Sequence, residues 1–217
     1  MNCDSLSVML YYPKMPGSRN APSGRCIAFE KYDGTNLHWD WDREFGWHSF
    51  GTRRDEFNLT DSGIKMFTAV HANLDGCAAL FLNSLSDGLE KILNRRLLLN
   101  SYRVFTEYLG ANSFAGLHKA ADQKRLVLID VQSHEDIIGP RTFVEEFGHL
   151  PIAKIVYKGK LTGKFAEDVR QGKYNVNEGV VCKGGEVGAV WMVKIKTYAY
   201  MDKLKQAFAD KWEDFWE

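Results

Sequence analysis

The stretch "FEKYDGTNLHW", residues 29–39, decides how the chain is read. Asp33-Gly34 between strand-forming residues is a hairpin signal, because Gly accepts a positive φ and an Asp side chain caps its own turn. Strands are therefore expected over "RCIAFEK" and "TNLHWDW", joined by that turn, with "GWHSFGT" as a third. Lys31 stands at the end of the first strand, beside a carboxylate. It is either a terminal strand residue or a nucleophile, and the choice depends on what the rest of the chain brings to it.

Outward from this stretch, strand and helix patterns alternate irregularly. From Asp61, a plausible N-cap, apolar residues recur at helical spacing through "DSGIKMFTAVHANL" and "GCAALFLNSLSDGLEKILNRR". Strand character returns in "YRVFTEYLG" and "RLVLIDV". "GPRTFVEEFGHL" reads as a short helix with Pro140 near its start. A strand over "KIVYKGKL" and a helix over "TGKFAEDVRQGKY", ended by Gly172, come next. "EGVVCKG" and "AVWMVKIKT" read as two strands around a Gly184-Gly185 turn. The end, "AYMDKLKQAFADKWEDFWE", predicts one helix with Met201, Leu204, Phe208, Trp212 and Phe215 on a core-packing stripe. Trp212, Phe215 and Trp216 either cover the core or mediate dimerisation. The fold class is α+β: antiparallel sheets with flanking helices, expected as one domain over residues 1–217.

Hydrophobic residues at 45% and charged residues at 26% are ordinary globular values, and 217 residues bury a substantial core. Lys+Arg and Asp+Glu both number 28, so net charge neither requires nor excludes a polyanionic partner. Cys3, Cys26, Cys77 and Cys182 are scattered and read as reduced thiols. The start "MNCDSLSVML" lacks a basic region and no apolar run spans a bilayer, so a soluble protein of the cytoplasm (a bacterial or phage-host cytosol) is expected. His38, His48, His71, His118, His134 and His149 show no metal-ligand spacing, which favours satisfied or exposed roles over ligation. No P-loop motif is present.

Charged residues on strands carry the functional signal. Lys31 closes one strand, Glu107 lies inside "VFTEYLG", and Glu178 opens "EGVVCKG". Lys194 and Lys196, two apart in "VKIKT", share one strand face. Taken singly, each reads as a solvent-facing strand residue. Taken together, lysines for phosphates and carboxylates for a metal and a ribose hydroxyl compose a cleft suited to a nucleoside triphosphate.

These residues carry a resemblance to a known family. "EKYDGTN" resembles motif I, KxDG, of the covalent nucleotidyltransferases: ATP-dependent DNA ligases, RNA ligases and mRNA capping enzymes. "FGTR" resembles motif Ia, "FTEYLG" motif III, "LVLIDV" motif IIIa, "NEGVVCK" motif IV and "VKIKT" motif V, all in the family's order. Asn36, two after Gly34, resembles the DGxN of nick-sealing phage-type RNA ligases, where DNA ligases and capping enzymes carry Arg. "YYPKM" resembles a segment preceding motif I in RNA ligases.

The resemblance implies an ATP-grasp-like adenylation fold and an ATP-dependent RNA ligase acting through lysyl-AMP. Lys31 would attack the α-phosphate, and Lys194 and Lys196 would stabilise the phosphate charge. Those lysines and a divalent metal would also disfavour the ammonium form of Lys31. Glu30 would accept from the adenine amino group, Glu107 would bond a ribose hydroxyl, and Glu178 would help hold Mg²⁺ (or Mn²⁺). Asn36 and Arg53, or Arg54 in its place, would contact phosphate or a polynucleotide end. The implied partners are RNA ends, with no membrane; oligomeric state is open, with a monomer favoured. Two departures stand out. Ile129 precedes Asp130 where many relatives carry an aromatic residue, so adenine would rest on aliphatic packing. The sequence also ends one helix beyond Lys196, where DNA ligases and capping enzymes append an OB domain. A DNA ligase, a capping-type guanylyltransferase and an inactive nucleotide- or RNA-binding module are the alternatives.

Overall fold

The two strands flanking Asp33-Gly34 belong to different sheets. In the computed structural model, which describes residues 12–97, 99–110, 121–133, 136–186 and 188–215, β1 (Arg25–Lys31) and β2 (Thr35–Asp42) are not paired with each other. β1 lies inside a four-stranded sheet with β7 (Ile155–Lys160), β8 (Gly179–Gly184) and β9 (Trp191–Lys196), in the order β7-β1-β8-β9. β2 lies inside a five-stranded sheet with β3 (Gly46–Gly51), β4 (Glu56–Asn58), β5 (Ser101–Leu109) and β6 (Arg125–Gln132), in the order β4-β3-β2-β5-β6. All named pairings are antiparallel.

The hairpin expected at Asp33-Gly34 is therefore a crossover between sheets, and the physical reason is the close approach of β5. A Cβ on Gly34 would stand 2.4 Å from the Tyr108 carbonyl oxygen, so glycine is there to let the chain pass close to β5. Asp33 is 4% exposed and accepts a 2.7 Å hydrogen bond from the Tyr200 hydroxyl, far along the chain.

The remaining elements are α1 (Asp61–Val70), α2 (Cys77–Ser84), α3 (Ser86–Arg96), α4 (Pro140–Phe147), α5 (Gly163–Arg170) and α6 (Tyr198–Phe208). The five-stranded sheet buries Leu37, Trp39 and Trp41 of β2 among residues from α1 to α4. Trp39 stacks on Phe81 of α2 at 3.9 Å and on Phe50 at 5.4 Å, and its indole donates to Thr106. Fully burying aromatic side chains of this size contributes roughly 2–3 kcal/mol each. The four-stranded sheet packs Ala28, Val180, Cys182, Val193 and Ile195 against Phe165, Ala166 and Val169 of α5.

Three local expectations are corrected. Thr60, not Asp61, caps α1, accepting from the Gly63 amide, and Asp61 opens the helix, where its charge suits the dipole. The long helical run after Gly76 is two helices broken at Leu85, where Ser84 and Ser86 hydroxyls bond back to the Leu80 and Leu82 carbonyls. The C-terminal helix stops at Phe208; Ala209 takes φ 44° and a 3-10 segment follows. That turn sets Trp212 under the Lys205 amine at 4.8 Å; in a continuous helix these residues would stand two turns, about 10 Å, apart. Met201 and Leu204 are buried as expected. β4 has no expectation behind it, because three residues are too short for a period-two signal.

Gly184-Gly185 opens the β8–β9 connection as expected, and Cys26, Cys77 and Cys182 are free and buried. Among the described residues, no helix is long and apolar enough to cross a membrane. The N-terminal leader reading, Cys3, His118, His134, Trp216 and the Phe215 side chain lie outside the described residues.

Candidate active site

Strand register assembles the site. Gly179 pairs with Lys31 on one side and with Lys196 on the other, so both lysines flank the start of β8. A Cβ on Gly179 would meet the Ile195 carbonyl oxygen at 2.0 Å, which leaves only glycine at this junction. Glu178, the residue just before it, is 2% exposed. Its carboxylate oxygen lies 2.6 Å from the Lys31 amine and 4.0 Å from that of Lys196. From the other sheet, Asn36 and Glu107 sit directly opposite each other on β2 and β5.

Between the sheets opens a cavity of about 690 Å³. Lys31, Lys194, Lys196, Glu30, Asn36, Arg53, Glu107, Ile129 and Glu178 all line it, and Arg54 does too, so the arginine alternative stays open. Residues that sequence reasoning did not single out also line it: Tyr12, Tyr32, His71, Asn73 and Tyr200. Tyr12 belongs to the "YYPKM" segment, the one local signal that pointed toward it. Tyr200 carries no local signal, since its role depends on Asp33.

Behind Ile129 a buried group fixes the cavity wall. Asp130 accepts from the Tyr12 hydroxyl at 2.5 Å and pairs with Lys183 at 2.7 Å, while Lys183 also donates to the Ile129 carbonyl at 2.6 Å. Asp130 and Lys183 are 1% and 3% exposed, so removing either would strand a buried charge.

The electrostatics correct one expectation. Burial pushes the Lys31 pKa down, yet Glu178, Glu107 and Asp33 together pull it above the ordinary lysine value. The depressed lysine is Lys196, brought down to about 8 by burial, against the pull of Glu178 and with Lys31 and Lys194 adding to the fall. At Lys31 the carboxylates, one of them in direct contact at 2.6 Å, outweigh burial.

Glu107 is pushed up to about 7, first by burial and then by Glu178, with Lys31 and Arg53 opposing. Its folded pKa lies above the ordinary value of about 4.3, so folding disfavours the ionised form. The cost is absent below about pH 4.3 and complete above pH 7. Glu107→Gln is therefore expected to be more stable than wild type at pH 8, by about 2 kcal/mol after allowance for solvent in an open cleft. The gap should close as pH falls from 7 to 5. Urea unfolding of both proteins across that range checks it, and a gap independent of pH would remove the assignment.

The site fits a nucleotide with a divalent cation. The Asn36 amide nitrogen is a buried donor with no hydrogen-bond partner, as a contact awaiting a phosphate oxygen would be. Two lysines on one strand face suit phosphates, and the Glu178 carboxylate offers oxygens of the kind a hard cation takes.

The architecture is the nucleotidyltransferase fold found in ATP-dependent RNA ligases. An RNA ligase of Naegleria gruberi, solved as a variant with ATP and Mn, superposes with a TM-score of 0.58 at 16% identity, over 90% of this chain and 58% of that one. An archaeal ATP-dependent RNA ligase gives 0.59 at 16% identity, over 91% of this chain and 51% of that one. Another variant of the Naegleria ligase, with AMP and Mn, gives 0.58 at 14% identity. This chain thus spans 51–58% of the length of these structures, and what it shares with them is the fold. The sequence matches no protein-family model and no curated protein.

Proposed function

We propose that the chain is an ATP-dependent RNA ligase that works through lysyl-AMP. The observation that carries this reading is the meeting of Lys31, Glu178 and Lys196 at one end of a cleft whose far wall holds Asn36 and Glu107. In the first step the neutral Lys31 amine attacks the α-phosphorus of ATP. A P–N bond forms, the α–β P–O bond breaks, pyrophosphate leaves and the amine proton is released. In the second step the P–N bond breaks as an RNA 5′-phosphate oxygen takes the AMP. In the third, a 3′-hydroxyl oxygen loses its proton, attacks the 5′-phosphorus and expels AMP.

Each residue has a place in this sequence of steps. Lys194 and Lys196 stabilise the charge that grows on phosphate oxygens. Asn36 donates to phosphate, and Arg53 or Arg54 meets a phosphate or the RNA end. Glu30 accepts from the adenine amino group, Ile129 packs on the base, and Glu107 bonds a ribose hydroxyl. Glu178 would hold Mg²⁺ or Mn²⁺; when bound, the cation polarises phosphate oxygens and makes pyrophosphate a better leaving group. Lys31 now occupies that carboxylate, and its raised pKa keeps the nucleophile protonated in the ligand-free protein.

RNA as substrate rests on the Asn36 signature and on the fold shared with solved RNA ligases. The physical discriminator is the 2′-hydroxyl, present only in RNA. A site built to hydrogen-bond it leaves buried polar groups unpaired on DNA, which costs orders of magnitude in rate. Matched nicked duplexes are expected to seal well when the 3′-hydroxyl strand ends in ribonucleotides, and at least about a hundredfold more slowly when it ends in deoxyribonucleotides. All arms share one salt concentration, because phosphate contacts weaken with salt. Equal rates on RNA, mixed and DNA duplexes would replace RNA ligase with a general strand-sealing activity. Adenylylation without sealing of any duplex would confine the activity to the first step.

A further inference from the structure

Along β2 the residues facing away from the aromatic core are Asn36, His38 and Asp40. Asn36 reaches the cleft, and His38 and Asp40 continue the same face beyond it, where β4 presents Glu56 across β3. His38 Nε2 stands 3.9 Å from Asp40 Oδ2 and 3.7 Å from Glu56 Oε2. His38 is only 7% exposed, and this nitrogen has no hydrogen-bond partner. The ring also bonds the Thr52 backbone in the sense that favours a proton on nitrogen. Nε2, left without a hydrogen bond, faces the two carboxylates. Three potential ligand atoms thus converge, the two carboxylate oxygens also accepting from Arg103.

We propose that His38 Nε2, Asp40 Oδ2 and Glu56 Oε2 form a site for a divalent transition ion of the zinc type, separate from the nucleotide cleft. The three donor atoms lie within 4.8 Å of one another. Zinc bonds of about 2.0–2.2 Å in tetrahedral array set ligands roughly 3.4 Å apart, so the imidazole nitrogen would close on the two carboxylates by a few tenths of an ångström. One imidazole with carboxylates suits zinc better than magnesium, which takes oxygen donors. An imidazole whose other nitrogen donates to a backbone carbonyl has its tautomer fixed as metal ligands do.

Arg103 completes the surroundings. It donates to Asp40 through Nε at 2.5 Å and Nη2 at 2.8 Å, and Nη2 also reaches Glu56 Oε2 at 2.9 Å. Ser49 donates to Asp40 Oδ2 at 2.7 Å. These bonds orient the carboxylates and neutralise one of their two charges, leaving a single negative charge for an incoming cation. The ion would tie β2 to β4 across β3 and hold the turn of residues 52–55 that joins β3 to β4, which carries Arg53 and Arg54.

The test is direct binding by the full chain, with no dependence on ligase activity. Zn²⁺ and Co²⁺ are titrated in millimolar Mg²⁺, which satisfies hard-ion positions in the cleft. Wild type is expected to bind one equivalent, to melt at a higher temperature with Zn²⁺, and with Co²⁺ to show visible d–d bands without thiolate charge transfer. His38→Gln should lose the bands and the melting shift. Glu56→Gln, at an exposed edge-strand position that leaves folding intact, should weaken binding at least tenfold. Absence of binding by folded wild type overturns the proposal. Undiminished binding by either variant, or a thiolate band, also overturns it by placing the ion elsewhere.

Discussion

Incubated with α-labelled ATP and Mg²⁺, the wild-type chain is expected to acquire one AMP on Lys31, and Lys31→Ala none. This is the largest effect expected for any substitution, because it removes the atom that forms the bond. The geometry adds a pH signature. Lys31 faces Glu178 at 2.6 Å and holds its proton above the ordinary lysine pKa, so the reactive neutral amine is scarce at pH 7. Labelling by wild type should therefore rise about tenfold per pH unit from pH 7 toward 9, as long as proton loss precedes attack. The adduct should survive alkali and be lost in acid, as a phosphoramide is; an acyl phosphate on Glu30 or Asp33 would show the reverse. Circular dichroism of Lys31→Ala guards against misfolding, since Glu178 loses its ion-pair partner there. Label that persists in a folded Lys31→Ala protein would sink the assignment of the nucleophile.

The second large effect is expected at β9. Lys194→Ala and Lys196→Ala should each slow adenylylation roughly a hundredfold, because a preorganised charge on a developing phosphate oxygen is worth about 3 kcal/mol in the transition state. Stability measured beside the rate separates this role from packing. The folded pKa of Lys196 is about 8, below the ordinary lysine value, so folding disfavours its charged form at pH 7 and this cost fades as pH rises through 8 to about 10. Lys196→Ala should thus lose rate while its urea midpoint at pH 7 stays level or rises. A lost rate with a falling midpoint would mark Lys196 as a packing residue. A near-wild-type rate in either variant would return that lysine to an ordinary strand role.

The residues of the cleft were legible because short motifs carry both identity and face. Two lysines spaced by two on a strand share a side in any sheet, and Lys194 and Lys196 do line the same cavity. Strand runs such as "RCIAFEK" and "RLVLIDV" declared themselves through β-branched and apolar composition, and they appear as β1 and β6. Less legible were features built from backbone bonds of few residues or from side chains competing with the helix. β4 is three residues long, and the break at Leu85 comes with hydroxyls bonding back to carbonyls.

By itself, then, the sequence determined the kinds of element, the faces of the strands and the chemical character of the groups to be gathered, since these follow from periodicity and residue type within a few positions. Which strands pair was decided only by the tertiary structure. Asp33-Gly34 has every local mark of a hairpin turn, yet the backbone of β5 running 2.4 Å from where a Gly34 Cβ would stand sends the chain into a second sheet. The proton balance of the site was decided there too. Glu178, Glu107 and Asp33 hold Lys31 above its ordinary pKa against burial, and burial holds Lys196 below; neither balance exists until distant segments meet. His38 shows the same limit: its partners Asp40 and Glu56 have no ligand spacing along the chain, and only the strand order β4-β3-β2 brings them to one nitrogen.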